Sequence, residues 1–293
     1  HHDVEMMPNG NILAITWEYK SAAEAVKAGR NPNYLLSGSL WPDALIEIDT
    51  SKADGEEIVW EWRIWDHLVQ DYDEEKTNYG AVADHPELLD INYLINPNSP
   101  NGQNDWNHTN AVDYNSELDQ IAISLHNMGE IFIIEHSESS VIAAGHTGGR
   151  YGKGGDILYR WGNPQVYRAG EAADQQFFGQ HDVQWIEKGL PGEGNLLVFN
   201  NGMGRLGAGY STVEEISPPI REDGSYALQV GAAYGPEQAL WIYQADPASD
   251  FYSQNISGAQ RLANGNTLIC EGARGRFFEV TSEGERVWEY VNP

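Results

Sequence analysis

Apolar and polar residues alternate in short runs along this chain, and the runs recur as a unit. Four segments align: His2-Asp-Val-Glu-Met-Met-Pro-Asn-Gly-Asn-Ile-Leu-Ala-Ile; His108-Thr-Asn-Ala-Val-Asp-Tyr-Asn, then Gln-Ile-Ala-Ile-Ser; His181-Asp-Val-Gln-Trp-Ile, then Gly-Asn-Leu-Leu-Val-Phe; and Ser257-Gly-Ala-Gln-Arg-Leu-Ala-Asn-Gly-Asn-Thr-Leu-Ile-Cys. Each reads as strand, tight turn, strand, and the Asn9-Gly10 and Asn264-Gly265 pairs tolerate the positive φ of a hairpin turn. A third strand is predicted at Leu45–Asp49, Ile131–Glu135, Thr212–Ile216 and Phe277–Thr281. A fourth carries aromatics at alternate positions, the spacing of one buried face: Trp60 and Trp62, Tyr159 and Trp161, Trp241 and Tyr243, Trp288 and Tyr290.

Repetition of a four-stranded antiparallel unit predicts an all-β fold, a single β-propeller domain with blades at roughly 1–65, 106–163, 180–245 and 255–293. The repeat starts lie 106, 73 and 76 residues apart, so loops must absorb the excess over compact propeller repeats. The main insertion, 66–105, is acidic and then rich in Asn and Pro, with a short helix expected at His85–Leu89. A long insertion of this kind is either a lid or an inert surface loop. The chain opens on a blade's first strand and closes on another's last, which predicts a piece cut at blade boundaries, with further blades or domains beyond it.

Charge narrows the class. With 44 Asp and Glu against 17 Lys and Arg the net charge is −27, which excludes a basic nucleic-acid footprint. No apolar run reaches the roughly 18 residues of a membrane span. Cys270 is the single cysteine, so no internal disulfide framework exists.

Candidate chemistry comes from the repeat register. Alignment on the turns puts His2, His108, His181 and Ser257 at one position of the first strand, which in a propeller lines the central channel. Three imidazoles and a hydroxyl from separate blades would therefore converge. One such histidine would read as a hydrogen-bonded channel residue, whereas three in register are a costly way to fill a channel and point to a site. His67, His85, His136 and His146 fall out of register and read as surface or loop residues.

The chain resembles the bacterial arylsulfate sulfotransferases over nearly its whole length. The resemblance is carried by His1-His-Asp, Asp105-Trp-Asn-His-Thr-Asn110, Ser124-Leu-His-Asn127, Gly155-Asp-Ile-Leu-Tyr-Arg-Trp-Gly162, Gly179-Gln-His-Asp182, Gly194-Asn-Leu-Leu-Val-Phe-Asn-Asn-Gly202 and Gly265-Asn-Thr-Leu-Ile-Cys-Glu-Gly272. It implies a six-bladed propeller in the periplasm or outside the cell, and transfer of a sulfuryl group from an aryl sulfate to a phenol. It further implies a ping-pong route through a sulfated histidine, with no nucleotide sulfate donor and no cofactor. Carried over, His181 is the nucleophile, and His108, Asn110 and His2 hold sulfuryl oxygens or shuttle protons; His1 is one residue out of register. Ser257 is the counterpart hydroxyl of the fourth repeat, and Trp106 is a candidate to stack on an aryl ring unless it packs between blades. His126 stands where the family carries Arg, so a permanent forked cation is replaced by a ring charged only in part; Arg150, Arg160 and Arg274 are the alternative cations.

Two other readings use the same residues. Three imidazoles with an open position would suit Zn²⁺ in a hydrolase or lyase. A propeller could also serve as a non-catalytic binding or structural module.

Overall fold

The computed structural model describes residues 2–94, 104–136, 139–205, 207 and 209–292; His1 and positions 95–103 of the insertion lie outside them. Four antiparallel four-stranded sheets follow one another along the chain. The first is built from Val4–Met6, Ile12–Trp17, Asp43–Ile48 and Ile58–Arg63, and the second from Thr109–Asn115, Gln120–Leu125, Glu130–Glu135 and Tyr159–Trp161. The third takes His181–Trp185, Leu196–Asn200, Thr212–Ile216 and Trp241–Tyr243, and the fourth Gly258–Arg261, Thr267–Glu271, Arg276–Val280 and Arg286–Val291. Strands predicted from alternation thus form within one or two residues of their expected bounds.

The Asn-Gly turns are held by side chains as well as by backbone preference. Asn9 and Asn11 both donate to Glu47 on the first sheet's third strand, Asn195 donates to Glu215 on the third sheet, and Asn264 and Asn266 donate to Glu279 on the fourth. Gly10 and Gly265 take φ of 89° and 88°, the left-handed region that a Cβ disfavours.

Carboxylates strap each first strand to the next sheet's first strand. Val112 donates its N–H to Asp3 at 3.0 Å, Trp185 to Asp113 at 2.6 Å, and Ala259 to Asp182 at 2.7 Å. The first strands therefore stand side by side, and Asp3, Asp113 and Asp182 border a cavity of about 700 Å³ that runs along them towards Glu187. Burial raises Asp113 and Asp182 to about 6, against the pull of the N–H groups they accept.

Three expectations change. The stretch His85–Leu89 is not helical: a single 3₁₀ turn, Val82–Asp84, ends at His85 with φ −126°, as the following Pro86 requires, and Leu89–Asp90 pairs in parallel with Leu68–Val69. The described part of the insertion is packed in, since Leu68, Val69, Val82, Leu89 and Ile91 are all buried. The fourth-strand aromatics are buried in the first two sheets, but Trp288 and Tyr290 are each 48% exposed, on a strand whose residues are all exposed. A helix that alternation did not indicate, Ala22–Lys27, is set by a capping box between Ser21 and Glu24.

Candidate active site

The heads of the first strands meet. His2 and His108 have ring centroids 4.4 Å apart, His108 and His126 5.2 Å, and His126 and His181 5.6 Å. Four imidazoles from three sheets thus form one row in edge contact, all of them at least partly open to solvent. His2 and His108 adopt φ of 64° and 52°, and Asp182 beside His181 adopts 57°, so the chain turns through the left-handed region where each strand begins.

Three of the four rings, His108, His126 and His181, have Nδ1 held by a group of known polarity, which defines where their protons lie. His181 Nδ1 lies 2.8 Å from Asn201 Oδ1 and 3.2 Å from the Gly179 carbonyl. Asn201 is fully buried and its amide is oriented by donating to the Ser253 carbonyl at 2.7 Å and to Ser257 Oγ at 2.9 Å. Both partners of Nδ1 are acceptors, so Nδ1 carries the proton and the lone pair sits on Nε2. Burial lowers the His181 pKa below its ordinary value, although the bonds to Asn201 and Gly179 oppose it. A neutral ring with an available Nε2 lone pair is the form in which imidazole is a nucleophile.

His126 is fixed in the same tautomer. Asn127 donates to the Asp105 carbonyl at 2.8 Å, which aims its Oδ1 at His126 Nδ1 at 2.9 Å. Burial pushes His126 down to about 4, and the neighbouring rings His108 and His181 add to the shift, so the ring is neutral near pH 7. His126 therefore supplies no cation where the family carries Arg. Gly179 permits its approach, since a Cβ there would stand 3.0 Å from His126 Nε2.

His108 is the opposite case. Its Nδ1 bonds Asp105 Oδ2 at 2.5 Å. Burial lowers its pKa, but the hydrogen bond and charge of Asp105, with Asp43 behind, outweigh that and leave it raised. His2 is lowered, first by burial and then by the charge of His108. One ring with a raised pKa thus stands among three whose pKa is lowered.

The other expected residues fall around this row. Ser257 accepts from Asn201 and so buttresses His181. Asn110 is buried and spends one amide N–H on the Gln180 carbonyl at 2.8 Å, joining the second sheet to the third. Gln180 locks that junction further by donating to Ser124 Oγ and to the carbonyls of Leu125 and Glu130. Trp106 does not offer a stacking face: it is 1% exposed, donates its indole N–H to the Tyr93 carbonyl and lies under the Arg30 guanidinium. Of the alternative arginines, Arg160 is buried in a pair with Glu130, Arg150 bonds the Leu118 carbonyl near the other end of its sheet, and Arg274, half exposed, pairs with Glu271. Asp105, Asn127 and Asn201, which orient the rings, were not singled out from sequence; Asp105 and Asn127 stand within three residues of the histidines they hold, a signal that could have found them, whereas Asn201 is 20 residues from His181.

Among the described residues, His2, His108 and His181 do not gather their ligand atoms as a metal site would; the group that does, His67, His146 and Asp156, lies elsewhere. His67 also departs from its expected surface place, being 1% exposed and stacked on Trp62. His136 is likewise drawn inward, between Glu47 and Asp119 over Trp60.

A curated relative, the arylsulfate sulfotransferase AssT of Escherichia coli O6:H1, is 23% identical over 216 residues, covering 69% of this chain and 35% of its own length. The chain thus spans about a third of that relative. Among solved structures, a protein of unknown function from Bacteroides caccae covers 85% of this chain and 54% of its own at 13% identity, with a TM-score of 0.38. The family description Arylsulfotransferase (ASST) matches residues 1–291, and the chain belongs to that family.

Proposed function

We propose that this chain is the catalytic part of a β-propeller sulfotransferase that moves a sulfuryl group from an aryl sulfate to a phenol through a sulfated His181, without a nucleotide donor. The observation that carries the reading is the buried Asn201, which holds His181 Nδ1–H and leaves the Nε2 lone pair towards the row of rings. Membership of the arylsulfotransferase family and the likeness to an arylsulfate sulfotransferase support the reaction class. A periplasmic or extracellular setting follows from the same likeness.

In the first half-reaction His181 Nε2 attacks sulfur, an N–S bond forms and the aryl O–S bond breaks. The leaving phenolate takes a proton from the His108 imidazolium, the one ring of the row whose pKa is raised. In the second half, the phenol acceptor attacks the same sulfur, returns its proton to neutral His108 and releases His181 in its starting form. One pocket serves both halves, which gives ping-pong kinetics. His2 and the remaining N–H of Asn110 are the groups that can meet sulfuryl oxygens. His126, neutral with its lone pair on Nε2, does not grip the anion.

Intact mass after brief exposure to 4-nitrophenyl sulfate tests the reading. Gain of one sulfuryl group, about 80 Da, mapped to His181 is expected for a covalent intermediate. A folded protein that gains no adduct and releases no nitrophenol would sink it in favour of a non-catalytic binding module, the reading that the neutral His126 favours.

A further inference from the structure

A second histidine group lies away from the row. His67, from the segment that follows the first sheet, and His146, from the loop between the third and fourth strands of the second sheet, both direct Nδ1 at Asp156 Oδ1, each at 2.8 Å. The three ligand atoms lie within 4.8 Å of one another. The loop is built to hold them: Gly155 N–H bonds the Gly145 carbonyl, and a Cβ on Gly154 or Gly155 would meet backbone at 2.1 or 2.0 Å.

The decisive contact is on the far side of His67. Its Nε2 stands 2.8 Å from the Ala143 carbonyl, which can only accept, so Nε2 carries a proton. In the neutral ring Nδ1 then presents a lone pair to a carboxylate oxygen at 2.8 Å, and two lone pairs repel. A proton, on the ring or on the carboxyl, or a metal ion must lie between them. His67 is 1% exposed and stacked on Trp62, so its ring is held in place for either. A histidine that donates its outer N–H to a backbone carbonyl while its other nitrogen meets a second imidazole and a carboxylate is the usual arrangement around a bound transition metal.

We propose that His67 Nδ1, His146 Nδ1 and Asp156 bind a Zn²⁺-class divalent ion that staples the first sheet's following segment to the second sheet. Bonds of about 2.0–2.2 Å in tetrahedral array space ligand atoms roughly 3.3–3.5 Å apart. The group therefore has to open by about half an ångström from its present 2.8 Å contacts. His146, with its side chain 57% exposed, is the member able to move, and its solvent side leaves room for a water as fourth ligand.

The test is calorimetric titration of chelator-treated protein with ZnCl₂, repeated with Co²⁺ to read the ligand-field absorption of a tetrahedral nitrogen and oxygen site. About one ion per chain is expected, with a rise in Tm of roughly 5 °C at saturation. His146→Ala, at an exposed position that folding does not need, and Asp156→Asn should each weaken binding at least about 10-fold, whereas His181→Ala should bind as the parent does. Uptake unchanged in His146→Ala, uptake lost in His181→Ala, or no uptake by folded parent protein would overturn the proposal, the last leaving a proton shared between His67 and Asp156.

Discussion

The two histidine groups are built from the same side chain and differ in what holds the ring. In the row of four, His126 and His181 are held at Nδ1 by amide oxygens, with a carbonyl added at His181, and His108 is held by a carboxylate. In the second group, both rings converge on a single carboxylate oxygen. An amide partner fixes the tautomer without bringing charge, so burial dominates and the ring stays neutral and nucleophilic. A carboxylate partner invites a positive charge, whether a proton, as at His108, or a metal. The chemistry of each histidine is thus decided by one neighbouring atom.

The largest test of that contrast is removal of the ring that the amide serves. His181→Ala should reduce sulfuryl transfer from 4-nitrophenyl sulfate by at least about 10³-fold and abolish the mass adduct. Asn201→Asp comes next, because it brings the carboxylate of the second group into the first. The His181 pKa should rise, and kcat/KM should fall roughly 10-fold or more at pH 6 with partial recovery at pH 8, a profile that a merely structural loss would not produce.

The parent enzyme should itself give a bell-shaped rate profile. Its acid limb reflects protonation of His181, lowered below 6.5, and its alkaline limb deprotonation of His108, raised above 6.5. Asp105→Asn removes the support of His108, so the alkaline limb should move down and turnover at pH 8 should drop by about 10-fold. The smallest effect belongs to the second group: His146→Ala should leave sulfuryl transfer within about 2-fold while removing the Zn²⁺-dependent gain in Tm. A change in turnover as large as that of Asn201→Asp would show that the two groups are not separate.

Alternation and Asn-Gly turns made the four sheets legible, because strand period and turn chemistry are local properties. Register then brought His2, His108 and His181 together on paper as the structure does in space. What stayed hidden was contextual. Trp106 reads the same in sequence whether it faces a substrate or Arg30, and only packing decides it. His67 is out of register, and nothing in its neighbours along the chain reveals that Asp156 and Ala143 will close around it from another sheet. Likewise Trp288 and Tyr290 keep the spacing of a buried face while being exposed, since spacing states which residues share a face and not what covers it.

The carboxylate straps between first strands carry a consequence for how such a fold can grow. The second and third sheets each present both halves of the strap, an N–H that is capped by the sheet before and a carboxylate that caps the sheet after. A unit with both halves is complementary to its own copy, head to tail, so a tandem duplication arrives already able to dock on its parent. The strap itself sets no limit on the number of copies.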